Sequence, residues 1–171
     1  MRHGMFQIVA VILLVVGLTG CDSLQGQRTE RAAAVETEAP GQAIALADVP
    51  ARARVVIERV TAGGTIRRLE KAEEGGRTVY DLEATVRGVE VEYDIAADGT
   101  ILTSGRSVPY AAVPLAVRHA AERRFRSAQG LTAFVEVEEG QTFYEIGGQK
   151  GGAPLTLKLS EAGQIVEEER E

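Results

Sequence analysis

One thiol, two imidazoles and a surplus of carboxylates are the reactive groups of this 171-residue chain: Cys21, His3 and His119, and 25 Asp and Glu against 19 Lys and Arg. A single cysteine excludes an intramolecular disulfide. A zinc site takes several His, Cys or carboxylate ligands, and a thiol nucleophile needs an imidazole beside it. His119, the one histidine beyond the N-terminus, meets neither demand. In the internal repeat described below it takes the place of Val55, off the apolar face of a helix, where a solvated side chain is expected. No serine lies in a Gly-x-Ser-x-Gly turn. The pairs Gly147-Gly148 and Gly151-Gly152 around Lys150 lack the spacing of a phosphate loop and read as a flexible connection between strands. No catalytic residue, no metal-ligand set and no cofactor site is assigned, and the chain is read as not being an enzyme.

Binding is the chemistry that remains. Asp81, Glu83, Glu90, Glu92 and Asp94 alternate with apolar residues, so extended strands gather them on one face. Such a face is a docking patch or a cation site, or else a solvated surface that keeps a sheet from aggregating. Like charges on neighbouring strands cost stability in either case. Phe134 lies between Ala133 and Val135, and Phe143 precedes Tyr144, an alternation that turns both Phe rings to the polar side. Exposed aromatics on a sheet anchor partners, unless a loop covers them. Phe134, Phe143, Glu83 and Glu92 are therefore the expected partner-binding residues. The alternative is a small molecule or metal ion held by the acidic face. Arg118, Arg123, Arg124 and Arg126 read as the wet side of a helix, and Glu167-Glu168-Glu169 as a frayed acidic tail.

Composition narrows the partner class. Apolar residues make up 44%, charged residues 26% and aromatics 5%, with no Trp, which is ordinary for a globular fold. The net charge of −6 argues against nucleic acid, where phosphates need clustered Lys and Arg.

Positions 1–20 have the parts of a secretory signal: Arg2 and His3, an apolar run, then small side chains. The run over positions 5–18 would make a helix of about 21 Å, short for a hydrocarbon core of about 30 Å. It ends Leu18-Thr19-Gly20-Cys21, which resembles the lipobox of bacterial lipoproteins. The resemblance implies cleavage between Gly20 and Cys21, a lipid on Cys21, and a membrane as the first partner. Asp22 resembles the signal that keeps enteric lipoproteins in the inner membrane. Residues 21–46 hold few large apolar side chains, cannot offset their ordering entropy, and read as a flexible tether.

The remainder repeats at an offset of 64. Val49-Pro50 returns as Val113-Pro114, Arg54 as Arg118, Glu58-Arg59 as Glu122-Arg123, Tyr80 as Tyr144, and Gly99 as Gly163. Each unit predicts a helix followed by about four antiparallel strands. The first helix is capped by Asp48, buries Val49, Ala53, Val56, Ile57 and Val60, and stops at Gly63-Gly64. The second buries Val113, Val117, Ala120, Ala121 and Phe125 and stops at Gly130. Asp98-Gly99 predicts a tight hairpin; its counterpart has Ala162 before Gly163 and should be looser. The fold class is α+β: two tandem repeats, over residues 47–106 and 107–171, each a helix on about four strands, with one continuous sheet a possibility.

The unit resembles the PepSY-like domain, through the Val-Pro helix start, Tyr80 and Asp98-Gly99-Thr100-Ile101, and again through Val113-Pro114, Tyr144 and Gly163-Gln164-Ile165. The tandem pair is similar to secreted β-lactamase-inhibitor proteins, whose joined sheet grips an enzyme. The resemblance implies a non-catalytic protein-binding lipoprotein of the cell envelope, facing the periplasm or exterior, with an envelope protein as partner and inhibition of a peptidase or cell-wall enzyme as a special case. The disulfides of the known inhibitor are absent here.

Overall fold

The structure, a computed structural model, describes residues 41–170. Gly20, Cys21, Asp22, the signal and most of the tether lie outside them, as do the readings placed on those residues.

Among the described residues, alternating sequences fold into nine strands: β1 Gln42–Ala43, β2 Gly64–Glu74, β3 Arg77–Val86, β4 Val89–Ala96, β5 Ile101–Ser107, β6 Thr132–Glu138, β7 Gln141–Lys150, β8 Ala153–Ser160 and β9 Ile165–Arg170. They form one sheet in chain order, antiparallel throughout. The two halves join by pairing β5 with β6, from Thr103 opposite Glu138 to Ser107 opposite Phe134. The helices α1 Ala51–Val60 and α2 Leu115–Phe125 lie on the same side of the sheet. The register explains why. Val91, Arg106, Val135, Tyr144 and Leu159 stand opposite one another in turn, so the apolar sides of both halves share a face. The class is α+β, in two layers.

Burial is concentrated in two clusters under the helices. Ala53 and Ile57 of α1 pack with Val49, Leu69, Tyr80, Leu82 and Ile95. Val117, Ala120, Ala121 and Phe125 of α2 pack with Ile146, Leu155, Leu157 and Leu159. Removing such side chains from water is the main stabilising term for a fold without disulfides.

Several local expectations are corrected. Asp48 does not cap α1. It belongs to a short 3₁₀ turn, Leu46–Asp48, and Pro50 takes the cap position with no side-chain cap bond. The buried Val49 and the fixed φ of Pro50 set the entry, and the Pro50 carbonyl accepts the Arg54 N–H at 2.9 Å. α2 stops at Phe125 because Arg126 turns left-handed, well before Gly130. Gly147 and Gly148 are not a connection but lie inside β7. A Cβ on Gly148 would fall 2.5 Å from Leu131 Cδ2 and 3.0 Å from Phe125 Cε1, so glycine makes room for the end of α2. The turn is Gly151-Gly152 alone. The Ala162 hairpin closes as tightly as its counterpart: Gly163 N–H donates to Ser160 O at 2.9 Å, and the Ser160 hydroxyl accepts the Gln164 N–H at 3.2 Å, a service Asp98 performs for Thr100 in the first half. The acidic tail is not frayed but forms β9, where Glu168 is gripped by Arg124 of α2. Order also begins before residue 47, since Ile44 donates to Leu69 O at 3.1 Å and Ile44 and Leu46 pack on the first core.

Candidate functional site: the helix-free face of the sheet

Neither helix core reaches the other face of the sheet, and its side chains follow from the register. One row runs Arg68, Glu83, Glu92, Gly105, Glu136, Phe143 and Ser160 across β2 to β8. The neighbouring row is Glu70, Asp81, Asp94, Thr103 and Glu138. A third carries Phe134, Glu145, Lys158 and Glu167. Asp81 thus stands directly opposite Asp94, and Glu83 opposite Glu92.

Few cations answer these carboxylates. A bulge in β2 at Arg67 turns consecutive arginines to one side. Arg68 reaches Asp81 at 2.8 Å and Glu83 at 2.9 Å, and Arg67 reaches Glu90 at 3.0 Å. In the second half Lys158 pairs with Glu136 at 2.7 Å and Glu138 at 2.9 Å, with its ammonium 4.9 Å from the centre of the Phe143 ring. Glu136 is 6% exposed, and Lys158 is the cation set against it.

The rest are short of cations. Burial pushes Glu92 up to about 7, with the nearby charges of Glu83 and Asp81 adding to it. Burial and then Asp81 push Asp94 up to about 7. Glu145 is pushed up to about 8 by burial and by Glu136, against the pull of Lys158. Asp81 is raised by burial in spite of Arg68. Lys158 is raised: burial disfavours its charge, and the bonds to Glu136 and Glu138 outweigh that. Near neutral pH the face therefore holds protons that an arriving cation would displace.

The structure places the expected residues unequally. Glu83 and Glu92 are cross-strand neighbours at the middle of the acidic rows. Glu83 is tied to Arg68, whereas Glu92 faces Glu83 on one side and Gly105 on the other. Phe143 is on this face beneath Lys158. Phe134 shares the face, but its ring lies over Gly105, where a Cβ would come within 2.9 Å of its Cζ. That ring fills the gap left by the missing side chain and buries Gly105, so Phe134 is first a packing residue. The acidic face is not merely a solvated one. Arg67, Arg68, Glu136, Glu145 and Lys158 are members that the sequence reading does not include. The strand alternation that locates Phe134 and Phe143 places Glu136 and Glu145 beside them. Among the described residues no group of three or more His, Cys, Asp or Glu is placed to hold a metal ion. The carboxylates are spread along the strands and interleaved with Arg68 and Lys158. His119 is exposed on α2.

No helix among the described residues is long and apolar enough to cross a membrane. Comparisons with protein-family models and with curated proteins gave no match. Solved structures do match. A protein of Bacteroides eggerthii described as periplasmic has a TM-score of 0.56 at 12% identity, over 71% of this chain and 88% of its own. A DUF2874 family protein of Bacteroides uniformis has a TM-score of 0.54 at 11% identity, over 71% and 88%. A BLIP-like protein of Bacteroides fragilis has a TM-score of 0.50 at 17% identity, over 71% and 86%. What this chain shares with them is the fold, and that fold is BLIP-like.

Proposed function

We propose that this chain is a lipid-anchored envelope protein of two PepSY-like repeats that binds another protein on its helix-free sheet face and performs no catalysis. One observation carries the reading. A broad sheet face is left uncovered by either helix, and its partly buried carboxylates lack enough cations of their own. Burying unpaired carboxylates costs stability, and a partner that brings cations or hydrogen-bond acceptors recovers it.

Recurrence supports the two-repeat reading. α1 begins at Ala51 and α2 at Leu115, an offset of 64, and β3 with β7, and β4 with β8, share both bounds at that offset. Arg118 N–H donates to Pro114 O at 3.0 Å as Arg54 does to Pro50 O at 2.9 Å. Gly99 abuts the Arg52 carbonyl, and its repeat mate Gly163 abuts the carbonyl of Ala116, the repeat mate of Arg52. Tyr80 is buried in the first core, and Tyr144 packs against the second. The signal, the Leu18-Thr19-Gly20-Cys21 lipobox and the periplasmic protein of similar fold support the envelope location. The BLIP-like neighbour supports a protein as the partner, with inhibition of a peptidase or cell-wall enzyme the narrower form. Tethering near a membrane raises the effective concentration for partners held there.

Site-specific photocrosslinking in intact cells tests this. A photoreactive residue at Thr103 or Glu92 should give a discrete crosslinked species, and one at Val55 or His119 on the helix side should not. Crosslinks from the helix side alone would overturn the reading.

A further inference from the structure

The junction between the two halves is a template for a second junction. β5 receives β6 along one edge, with Val108 N–H donating to Ala133 O at 3.0 Å. β9 stands to β8 as β5 stands to β4. Val91 opposite Arg106 and Tyr93 opposite Ser104 recur, at the repeat offset, as Leu155 opposite Arg170 and Leu157 opposite Glu168. Both strands also carry their irregularity just before an aliphatic pair, Ile95 with Ile101 and Leu159 with Ile165. Yet β9 is the last strand of the described sheet, and its side chains are exposed throughout. Ile165 is 43% and Val166 54% exposed. The edge has the backbone that receives a strand in the first half, and carries none among the described residues.

Charge selects the occupant. On the helix-free side Lys158 and Glu167 stand opposite one another across β8 and β9, opposite in sign. A further strand continues the alternation with a cation opposite Glu167. A second copy of this chain is refused. Laid on β9 in the register of β6, its β2 would set Glu74 against Glu167 and Glu73 against Glu168. Two β9 strands would align their Glu167-Glu168-Glu169 runs. Like charges directly opposed destabilise strand pairs and guard edges against self-association.

We propose that the open edge of β9 captures an extended segment of a different protein, pairing antiparallel with Lys or Arg opposite Glu167. Affinity comes from main-chain hydrogen bonds and selectivity from alternate side chains. The edge lies at the rim of the sheet, apart from the Glu92 face, so it can fail without that reading failing.

The test is hydrogen exchange by mass spectrometry on the full chain with the synthetic peptide Thr-Lys-Val-Lys-Val-Lys-Thr, and its glutamate counterpart as control. The lysine peptide should slow exchange over residues 165–170, and the glutamate peptide should not. Glu167→Lys should weaken lysine-peptide binding about fivefold to tenfold, by losing one attractive cross-strand pair and gaining a repulsive one. Arg170→Pro should abolish it. The Val108 bond sets which amides of β5 face β6, and by the same alternation the Arg170 N–H faces the open edge, so its loss spares the pairing with β8. If Arg170→Pro disturbs the edge itself, Glu167→Lys alone carries the test. Protection confined to β3 and β4, equal binding of both peptides, no binding, or binding indifferent to Glu167→Lys would each overturn the proposal.

Discussion

Glu92→Gln should stabilise the fold, and only above mildly acidic pH. In the unfolded chain this carboxyl ionises near its ordinary value of 4.5; in the fold, burial and the neighbouring Glu83 and Asp81 hold it up to about 7. A carboxyl with a raised folded value adds no penalty below pH 4.5, where it is protonated in both states. The penalty grows as pH rises from 4.5 to 7 and is constant beyond. The difference of about 2.5 corresponds to about 3 kcal/mol at about 1.36 kcal/mol per pH unit, an upper value because the group is only partly buried and is coupled to its neighbours. Glutamine keeps the shape and cannot ionise. Urea unfolding of parent and variant at pH 4, 6 and 8 should give a stability difference near zero at pH 4, rising to its full value by pH 8. A difference that is flat across this range, or that favours the parent at pH 8, would refute the argument that burial and like charge dominate this face.

Three further outcomes follow from the same geometry. Lys158→Met should cost about 3 kcal/mol by stranding the buried Glu136, as read by chemical denaturation. Phe134→Ala should destabilise by about 2 kcal/mol, since its half-buried ring closes the gap over Gly105, and faster amide exchange should appear in β5 and β6. Gly148→Ala should lower the melting temperature by several degrees through collision with Leu131 and Phe125, whereas Gly151→Ala meets no neighbouring atom and acts only through its backbone conformation.

The helices and strands are legible because their periods are. Ala53 and Ile57 recur at helical spacing, and Tyr80, Leu82 and Ala84 at strand spacing, and each set is buried where that spacing puts it. The starts of α1 and α2, and of β3 and β7, lie 64 residues apart. Helix ends are less legible. Asp48 and Gly130 are strong local signals, but the burial of Val49 and the left-handed turn at Arg126 override them. β9 escapes a sequence reading because Glu167-Glu168-Glu169 looks like a solvated tail. It is held by pairing with β8 and by Arg124, partners remote in sequence.

For the site, the chain's local pattern already puts Asp81, Glu83, Glu92 and Asp94 on one face, and Phe134 and Phe143 on the polar side of their strands. A strand's alternation is a local property of the backbone, and it needs no knowledge of neighbours. The folded sheet was needed to join both halves with both helices on one side. It was needed, too, to make Arg68 and Lys158 the cations among the acids, to lay Phe134 over Gly105, and to leave Glu92, Asp94 and Glu145 too poorly solvated to ionise freely at neutral pH. Each depends on which residue stands opposite which across strands far apart in the chain. Register and burial set the electrostatics of the face, and neither is a property of any single segment.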